Sequence, residues 1–249
     1  MPASDDVSPH HLRLLRKLET ISVLGAEERR ALAGLPLHVK DVPKNTDIVS
    51  EGEAPPDCCL ILEGFTCRYK ILHGGGRQIF SFHIAGDIPD LQSMHLGVMD
   101  HSLGTLTPAK VALIPHSAVM EIIRRYPQIA LALWRDTLID AAVFRAWLAG
   151  VGRRTARERI AHLICEVYSR AQAIGLAEAR EFEMPVTQQE LGDSLGLSSV
   201  HVNRVLQDLR REGLIISKGR YLQITDWEGL KRAGDFDPAY LHLIEKADA

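Results

Sequence analysis

The period of the apolar positions changes repeatedly along this chain of 249 residues. Residues 11–24 and 27–35 space them as short helices do. From 37 to 115 the texture becomes short β-prone runs, at 47–49, 58–62, 66–72, 77–83 and 110–114. Turn residues separate these runs: Glu51-Gly52, Glu63-Gly64, Gly74-Gly75-Gly76 and Ala85-Gly86-Asp87. Short strands at that spacing predict a small antiparallel sandwich or barrel. Beyond Pro115 the helical period returns. Residues 117–125 make one helix, and Pro127, suited to a first helical turn, opens a much longer one.

Within the long helix Ala130, Trp134, Thr137, Ala141, Phe144, Leu148 and Val151 recur at alternating steps of four and three. That is a heptad seam, which predicts dimerisation through this helix. Leu131, Leu138 and Ala142 mark a second face, expected to pack on the barrel. Gly150 and Gly152 each lower helix propensity by about 1 kcal/mol relative to alanine. They mark a hinge, after which 153–173 begins the second domain as a fresh helix.

Residues 187–214 read as a helix-turn-helix. Thr187 and Glu190 have capping-box spacing, Leu191 and Leu195 supply an apolar face, and Gly196 supplies a turn with positive φ. Ser198 caps the second helix, about 198–210. Val202, Val205, Leu206 and Leu209 share its inner face. Val200, Arg204 and Gln207 stand opposite, with His201 and Asn203 on the flanks, as a major-groove reader requires. The β-prone runs 213–217 and 220–224, turning at Lys218-Gly219, add a wing that places Lys218 and Arg220 to meet phosphate. Asp226 caps a last short helix, 227–231.

Composition narrows the class. The apolar and charged fractions are those of a soluble globular protein. No apolar run approaches the roughly 18–20 residues that span a bilayer, and residues 1–16 lack the apolar segment of a signal peptide. A cytoplasmic protein without membrane contact is expected. The net charge of −3 permits DNA binding without advertising it, because the basic groups are local: Arg153, Arg154, Arg157, Arg159, Arg204, Arg210, Arg211, Lys218 and Arg220. The four cysteines show no C-x-x-C spacing. Neighbours Cys58 and Cys59 would point to opposite faces of a strand, and Cys67 reads as a small core residue. His83, His95 and His101, with Asp87, Asp90 and Asp100, read as polar loop residues and not as a metal site.

A barrel, a long helix, a glycine hinge and a winged helix in this order resemble the Crp–Fnr family of bacterial transcription regulators over nearly the whole chain. The residues that carry the likeness are Glu51-Gly52, Leu62-Glu63-Gly64, Gly86-Asp87, Thr187-x-x-Glu190-Leu191-Gly192, Leu195-Gly196-x-Ser198 and Val202-x-Arg204-x-Leu206. The resemblance implies an α+β chain: an N-terminal antiparallel β jelly roll of the cyclic-nucleotide-binding type, a long dimerisation helix and a C-terminal winged helix-turn-helix. It implies a homodimer on palindromic promoters and RNA polymerase as a partner. It also makes Arg204 the reader of a guanine and places Gln188, Gln189 and Ser198 at phosphate, with Thr187 beside them.

Departures from the family pattern matter as much. Ser199 and Val200 stand where a charged pair usually opens the recognition helix, so the operator differs at the bases they face, and Val200 suits a thymine methyl. After Gly86-Asp87 comes Ile88-Pro89-Asp90-Leu91, and no arginine lies between Arg77 and Arg124. A buried phosphate without a cation is costly, so neither cAMP nor cGMP is expected to bind. No cysteine precedes Cys58, which argues against an iron–sulfur cluster, and no cofactor is expected.

The expected organisation is 1–126 for helices and barrel, 127–152 for the dimerisation helix and hinge, and 153–249 for the DNA-binding domain. The expected function is a homodimeric, sequence-specific DNA-binding regulator and not an enzyme. Its base readers are Arg204, Val200, Ser199, His201 and Asn203, and its barrel senses an unknown signal, such as a small-molecule effector. The alternative is an effector-binding or interaction module whose winged helix meets protein instead of DNA. A cupin-like enzyme would need a His-x-His pair inside the barrel, which the sequence lacks.

Overall fold

The structure, a computed structural model, describes residues 7–244. The described residues divide into two compact units: residues 7–68, 82–138 and 244 form one, and residues 69–81 and 139–243 the other.

The first unit opens with helices α1 (Pro9–Glu19) and α2 (Ala26–Ala33). Ser8 caps α1 by accepting from His10 N–H, the role that serine fills at helix starts. Strands β1 (His38–Val42), β2 (Asp47–Val49), β3 (Asp57–Glu63), β4 (Thr66–Ile71), β5 (Arg77–His83), β6 (Ser102–Thr105) and β7 (Ala109–Pro115) follow, with helix α3 (Ser93–Leu96) between β5 and β6. They form a three-stranded sheet of order β1-β7-β3 and a four-stranded sheet of order β2-β6-β4-β5. Val42, Ile61, Leu103 and Val111 pack together, so side chains from both sheets fill the barrel core.

Strand β3 shows why its alternation is hidden in the sequence: five consecutive residues, Cys58–Leu62, are buried. Cys59 and Ile61 face the barrel interior, whereas Cys58, Leu60 and Leu62 face a second cluster with Leu14, Leu18 and Ile129. Both faces are covered, so both are apolar. The two adjacent cysteines point opposite ways, as strand geometry requires, and all four cysteines are buried free thiols. Burial pushes Cys165 up to about 12, and the Cys58 and Cys59 thiols rise for the same reason.

Helix α4 (His116–Arg125) leads into the long α5 (Pro127–Arg153). Here two expectations need correction. Gly150 and Gly152 do not break the chain, because both lie inside α5. The break falls at Arg154-Thr155. Thr155 starts α6 (Ala156–Ala173) with a capping box, its hydroxyl accepting from Glu158 N–H while the Glu158 carboxylate returns to Thr155 N–H at 2.6 Å. A strong N-terminal signal fixes the joint where weak helix formers do not. The inward face of α5 is Ile129, Ala132, Leu133, Ile139, Ala142 and Val143, whereas Leu131 and Leu138 are exposed. Of the three positions expected to pack inward, only Ala142 does. On the heptad seam Trp134 is 62% exposed and Leu148 74%, Thr137 and Val151 are also exposed, and Ala130, Ala141 and Phe144 are half-buried.

The second unit continues with β8 (Ala177–Glu178), β9 (Glu181–Glu183), α7 (Gln188–Leu195), α8 (Ser199–Arg211), β10 (Ile215–Lys218), β11 (Tyr221–Ile224), α9 (Trp227–Ala233) and a 3-10 turn, Pro238–Leu241. Its sheet has the order β10-β11-β9-β8. At its centre Glu166 of α6 is completely buried. The carboxylate accepts from Trp147 Nε1 at 3.0 Å and Tyr240 OH at 2.8 Å, and faces Arg170 at 3.6 Å. Burial pushes its carboxyl above the ordinary range, against the opposing effect of Arg170. Tyr240 OH also meets His162 Nε2 at 3.0 Å. Among the described residues no helix is long and apolar enough to cross a membrane.

Candidate nucleic-acid interface

The helix-turn-helix is built by caps and one close approach. Thr187 Oγ1 accepts from Glu190 N–H at 3.2 Å, and the Glu190 carboxylate accepts from Thr187 N–H at 2.6 Å. Gly196 ends α7 in the left-handed region, at φ 67°. A Cβ on Gly192 would lie 2.4 Å from the Leu197 carbonyl oxygen, so the turn crosses α7 at a distance that only glycine permits. Arg159 of α6 donates to the Leu195 carbonyl at 2.9 Å, satisfying an end of α7 that has no internal partner. Ser198 caps α8 by accepting from His201 N–H at 3.3 Å.

Val202, Val205, Leu206 and Leu209 are buried beneath α8. On its front, Val200 is 79% exposed and Arg204 is also exposed. Among the described residues Arg204 has neither a hydrogen bond nor an ion pair. Ser199, His201 and Asn203 are half-buried on the flanks. Asn203 Nδ2 donates to Gln188 Oε1 at 3.0 Å, so its amide faces α7. The five candidate base readers thus share the first two turns of one helix, with different freedom.

The candidate phosphate groups are arranged around them. Thr187 and Ser198 hold helix N-termini, where the backbone dipoles favour anions. As caps they accept through oxygen, which leaves each hydroxyl proton free to point outward. Gln189 Nε2 donates to Asp193 Oδ1 at 2.7 Å, and Arg77 Nε, on the 69–81 segment of the same unit, donates to Asp193 Oδ2 at 2.8 Å. At the wing Lys218 pairs with Glu181 at 3.2 Å and Arg220 pairs with Glu183.

Those partners were not legible as site residues. Strand β9 belongs to a hairpin whose turn is Ala179-Arg180, both at positive φ, where glycine or asparagine would have announced it. Arg210 is a structural link that its sequence position does not announce: it donates from Nε and Nη2 to Ser217 Oγ, at 3.2 and 3.1 Å, tying α8 to the wing. Three more of the local cations are engaged too. Arg157 grips Glu212 through two bonds of 2.6 Å, Arg154 meets Asp235 at 3.3 Å, and Arg211 pairs with Asp208.

The barrel interior has its own polar cluster. Arg68 on β4, upstream of the stretch that lacks arginine, is buried and donates to the Pro89 carbonyl at 2.6 Å. Asp90 is completely buried and accepts from Cys59 N–H at 2.7 Å, while its Oδ2 has no hydrogen-bond partner among the described residues. Burial pushes the Asp90 carboxyl up to about 6, with the Cys59 hydrogen bond and Arg68 opposing. Asp87 meets Lys17 at 3.0 Å and His83, at the end of β5, at 3.5 Å. His101 meets Asp100 at 2.7 Å. Among the described residues no three His, Cys, Asp or Glu side chains gather as metal ligands would.

A chain with such a barrel and a winged helix-turn-helix whose second helix presents an arginine outward is a DNA-binding transcription regulator in its architecture. Residues 39–126 match the family model of the cyclic nucleotide-binding domain, and residues 158–233 that of the Crp-like helix-turn-helix domain. The transcriptional activator protein FnrL of Cereibacter sphaeroides is 35% identical over 196 residues, covering 76% of this chain and 77% of FnrL. Electron transport regulator A of Shewanella oneidensis is 26% identical over 203 residues, 82% of this chain and 81% of that protein. The solved structure of FixK2 from Bradyrhizobium japonicum matches with a TM-score of 0.72 at 26% identity, over 80% of this chain and 98% of FixK2. The chain belongs to the Crp–Fnr family, whose members are transcription regulators and not enzymes.

Proposed function

We propose that the protein acts as a homodimer on a two-fold symmetric promoter site, each α8 entering a major groove, with half-sites roughly 34–36 Å apart. The observation that carries this reading is Arg204: exposed on the front of α8 and unpaired among the described residues, while its neighbours Arg210 and Arg211 are engaged. A guanidinium in that state loses no internal partner when it makes a bidentate contact with guanine. Val200 meets a thymine methyl, and Ser199 and His201 contact adjacent base edges. Asn203 acts through Gln188. Thr187, Gln188, Gln189, Ser198, Lys218 and Arg220 meet phosphates, which fix register without reading sequence.

The exposed Trp134 and Leu148 on α5 supply the dimer seam, a two-fold contact in which each helix buries the other's apolar stripe. The barrel acts as the sensor. Its inner arginine is occupied by Pro89 and lies close to the Asp90 carboxyl, so it does not serve a cyclic phosphate. RNA polymerase is the protein partner once the dimer is on DNA.

The test is selection from random genomic DNA with the purified protein in low salt, where phosphate contacts are strongest. Enrichment of a two-fold symmetric sequence is expected. Failure to enrich any sequence overturns the reading and favours a winged helix that meets protein.

A further inference from the structure

The wing carries its counter-charges on its own sheet. Strand β9 pairs antiparallel with β11, placing Glu183 opposite Tyr221 and Glu181 opposite Gln223. Strand β10 lies on the other side of β11, with Lys218 opposite Tyr221. Strand alternation sends Phe182 inward, where it is 1% exposed, and turns Glu181 and Glu183 together to the outer face. There they hold Lys218 and Arg220. Glu178 stands across from Glu181 on β8, adding a third carboxylate to the same hairpin.

We propose that Glu181 and Glu183 compete with DNA phosphate for Lys218 and Arg220, holding down the sequence-independent part of the affinity. The proposal rests on the reading that the wing meets the DNA backbone. All four side chains are at least partly exposed, so the pairs are weak and exchangeable. When a duplex arrives, each cation gives up a carboxylate as it gains a phosphate, and the ion pair that is lost is a cost set against the one that forms. Part of the electrostatic gain is thereby cancelled. The cancellation is equal for all sequences, because phosphates are alike, so it lowers non-specific and specific binding together. Specific binding alone recovers affinity through base contacts.

The same exchange alters salt dependence. Binding strengthens at low salt because each neutralised phosphate releases a condensed counterion, with a slope of about 0.9 per contact. The duplex still releases its counterion on exchange. The freed carboxylate, however, recruits a cation from solution, which offsets that release. The slope of the native protein therefore understates its number of phosphate contacts.

The experiment uses the full chain and a fluorescent duplex of random sequence, with anisotropy followed across a salt series. Four proteins are compared: native, E181Q/E183Q, K218A/R220A and the quadruple variant. The proposal expects E181Q/E183Q to bind random duplex about tenfold more tightly in low salt, with a slope steeper by up to about 0.9 per freed cation. It expects the quadruple variant to behave as K218A/R220A does. If E181Q/E183Q matches native protein while K218A/R220A binds more weakly, the wing meets phosphate but the carboxylates do not compete, and the proposal is overturned. It is overturned too if the quadruple variant still binds tighter than K218A/R220A, since the carboxylates would then act by general charge. If K218A/R220A leaves random-duplex binding and its slope unchanged, the wing reading fails and the proposal with it. E181A/E183A, which removes the same charges with a different shape, must move in the direction of E181Q/E183Q.

Discussion

Asn203 of the recognition helix donates its side-chain amide to Gln188 Oε1, at 3.0 Å, in the first turn of the preceding helix. Under the proposed function, the bond joins the element that reads bases to the element that meets the backbone. Arg204, its neighbour in sequence, is exposed and has no partner among the described residues.

The two residues should therefore fail differently. Arg204→Ala is expected to cost about 1–3 kcal/mol and to relax preference at a single base pair. Asn203→Ala is expected to weaken all sites alike, because it frees Gln188 without removing a base contact. Binding to half-sites substituted one base pair at a time separates these outcomes. Relaxed preference in Asn203→Ala alone would reverse the two roles.

The α5 seam predicts oligomeric state. Burial of a Trp or Leu side chain contributes about 2–3 kcal/mol, and two-fold symmetry counts each substitution twice. Trp134→Asp or Leu148→Glu should turn a dimer into a monomer at micromolar concentration in sedimentation equilibrium. Loss of the symmetric DNA complex should accompany it. A native dimer that persists in both variants would move the interface elsewhere.

Asp90 predicts the direction of a pH effect. Its folded carboxyl titrates at about 6, above the ordinary 3.8, so the folded state holds this proton more tightly than the unfolded chain. The associated stability is fully present below about pH 4 and is lost as pH rises through about 6. A shift of this size corresponds to about 3 kcal/mol at most. Asp90→Asn keeps an acceptor for Cys59 N–H and removes the charge. Its melting temperature, relative to the native protein, should rise between pH 4.5 and pH 7.5; a constant difference would show that Asp90 does not titrate in that window.

Cyclic nucleotides should not bind the barrel. A phosphate entering near Arg68 would have to displace the bond to Pro89 and lie close to the Asp90 carboxyl, which ionises above about pH 6. Calorimetry with cAMP and cGMP at micromolar protein should give no binding heat. A dissociation constant in the micromolar range or below would refute this.

Local signals carried much of the fold. The helix-turn-helix was legible because Thr187, Glu190, Gly196 and Ser198 each announce a cap or a turn, and the structure uses every one. Strand β5 was legible in its bounds, as was β2. What remained hidden depends on tertiary pairing. Strand β9 is three residues long and follows a turn of Ala179-Arg180, so neither length nor turn chemistry marks it. The glycines of α5 were misleading because their local penalty, about 1 kcal/mol each, is overridden inside a helix packed along much of its length. In the candidate site, spacing located the front of α8, but nothing in the sequence showed which cations were already held by carboxylates.

The setting of Glu166 bears on where this protein can be cut. The matched helix-turn-helix module runs from 158 to 233, yet two groups that satisfy the Glu166 carboxylate, Trp147 and Tyr240, lie outside it on either side. Excising the module at its homology limits would strip the buried Glu166 carboxyl of those donors. A fragment that keeps those donors is therefore wider than the matched module, and has to run at least from Trp147 to Tyr240.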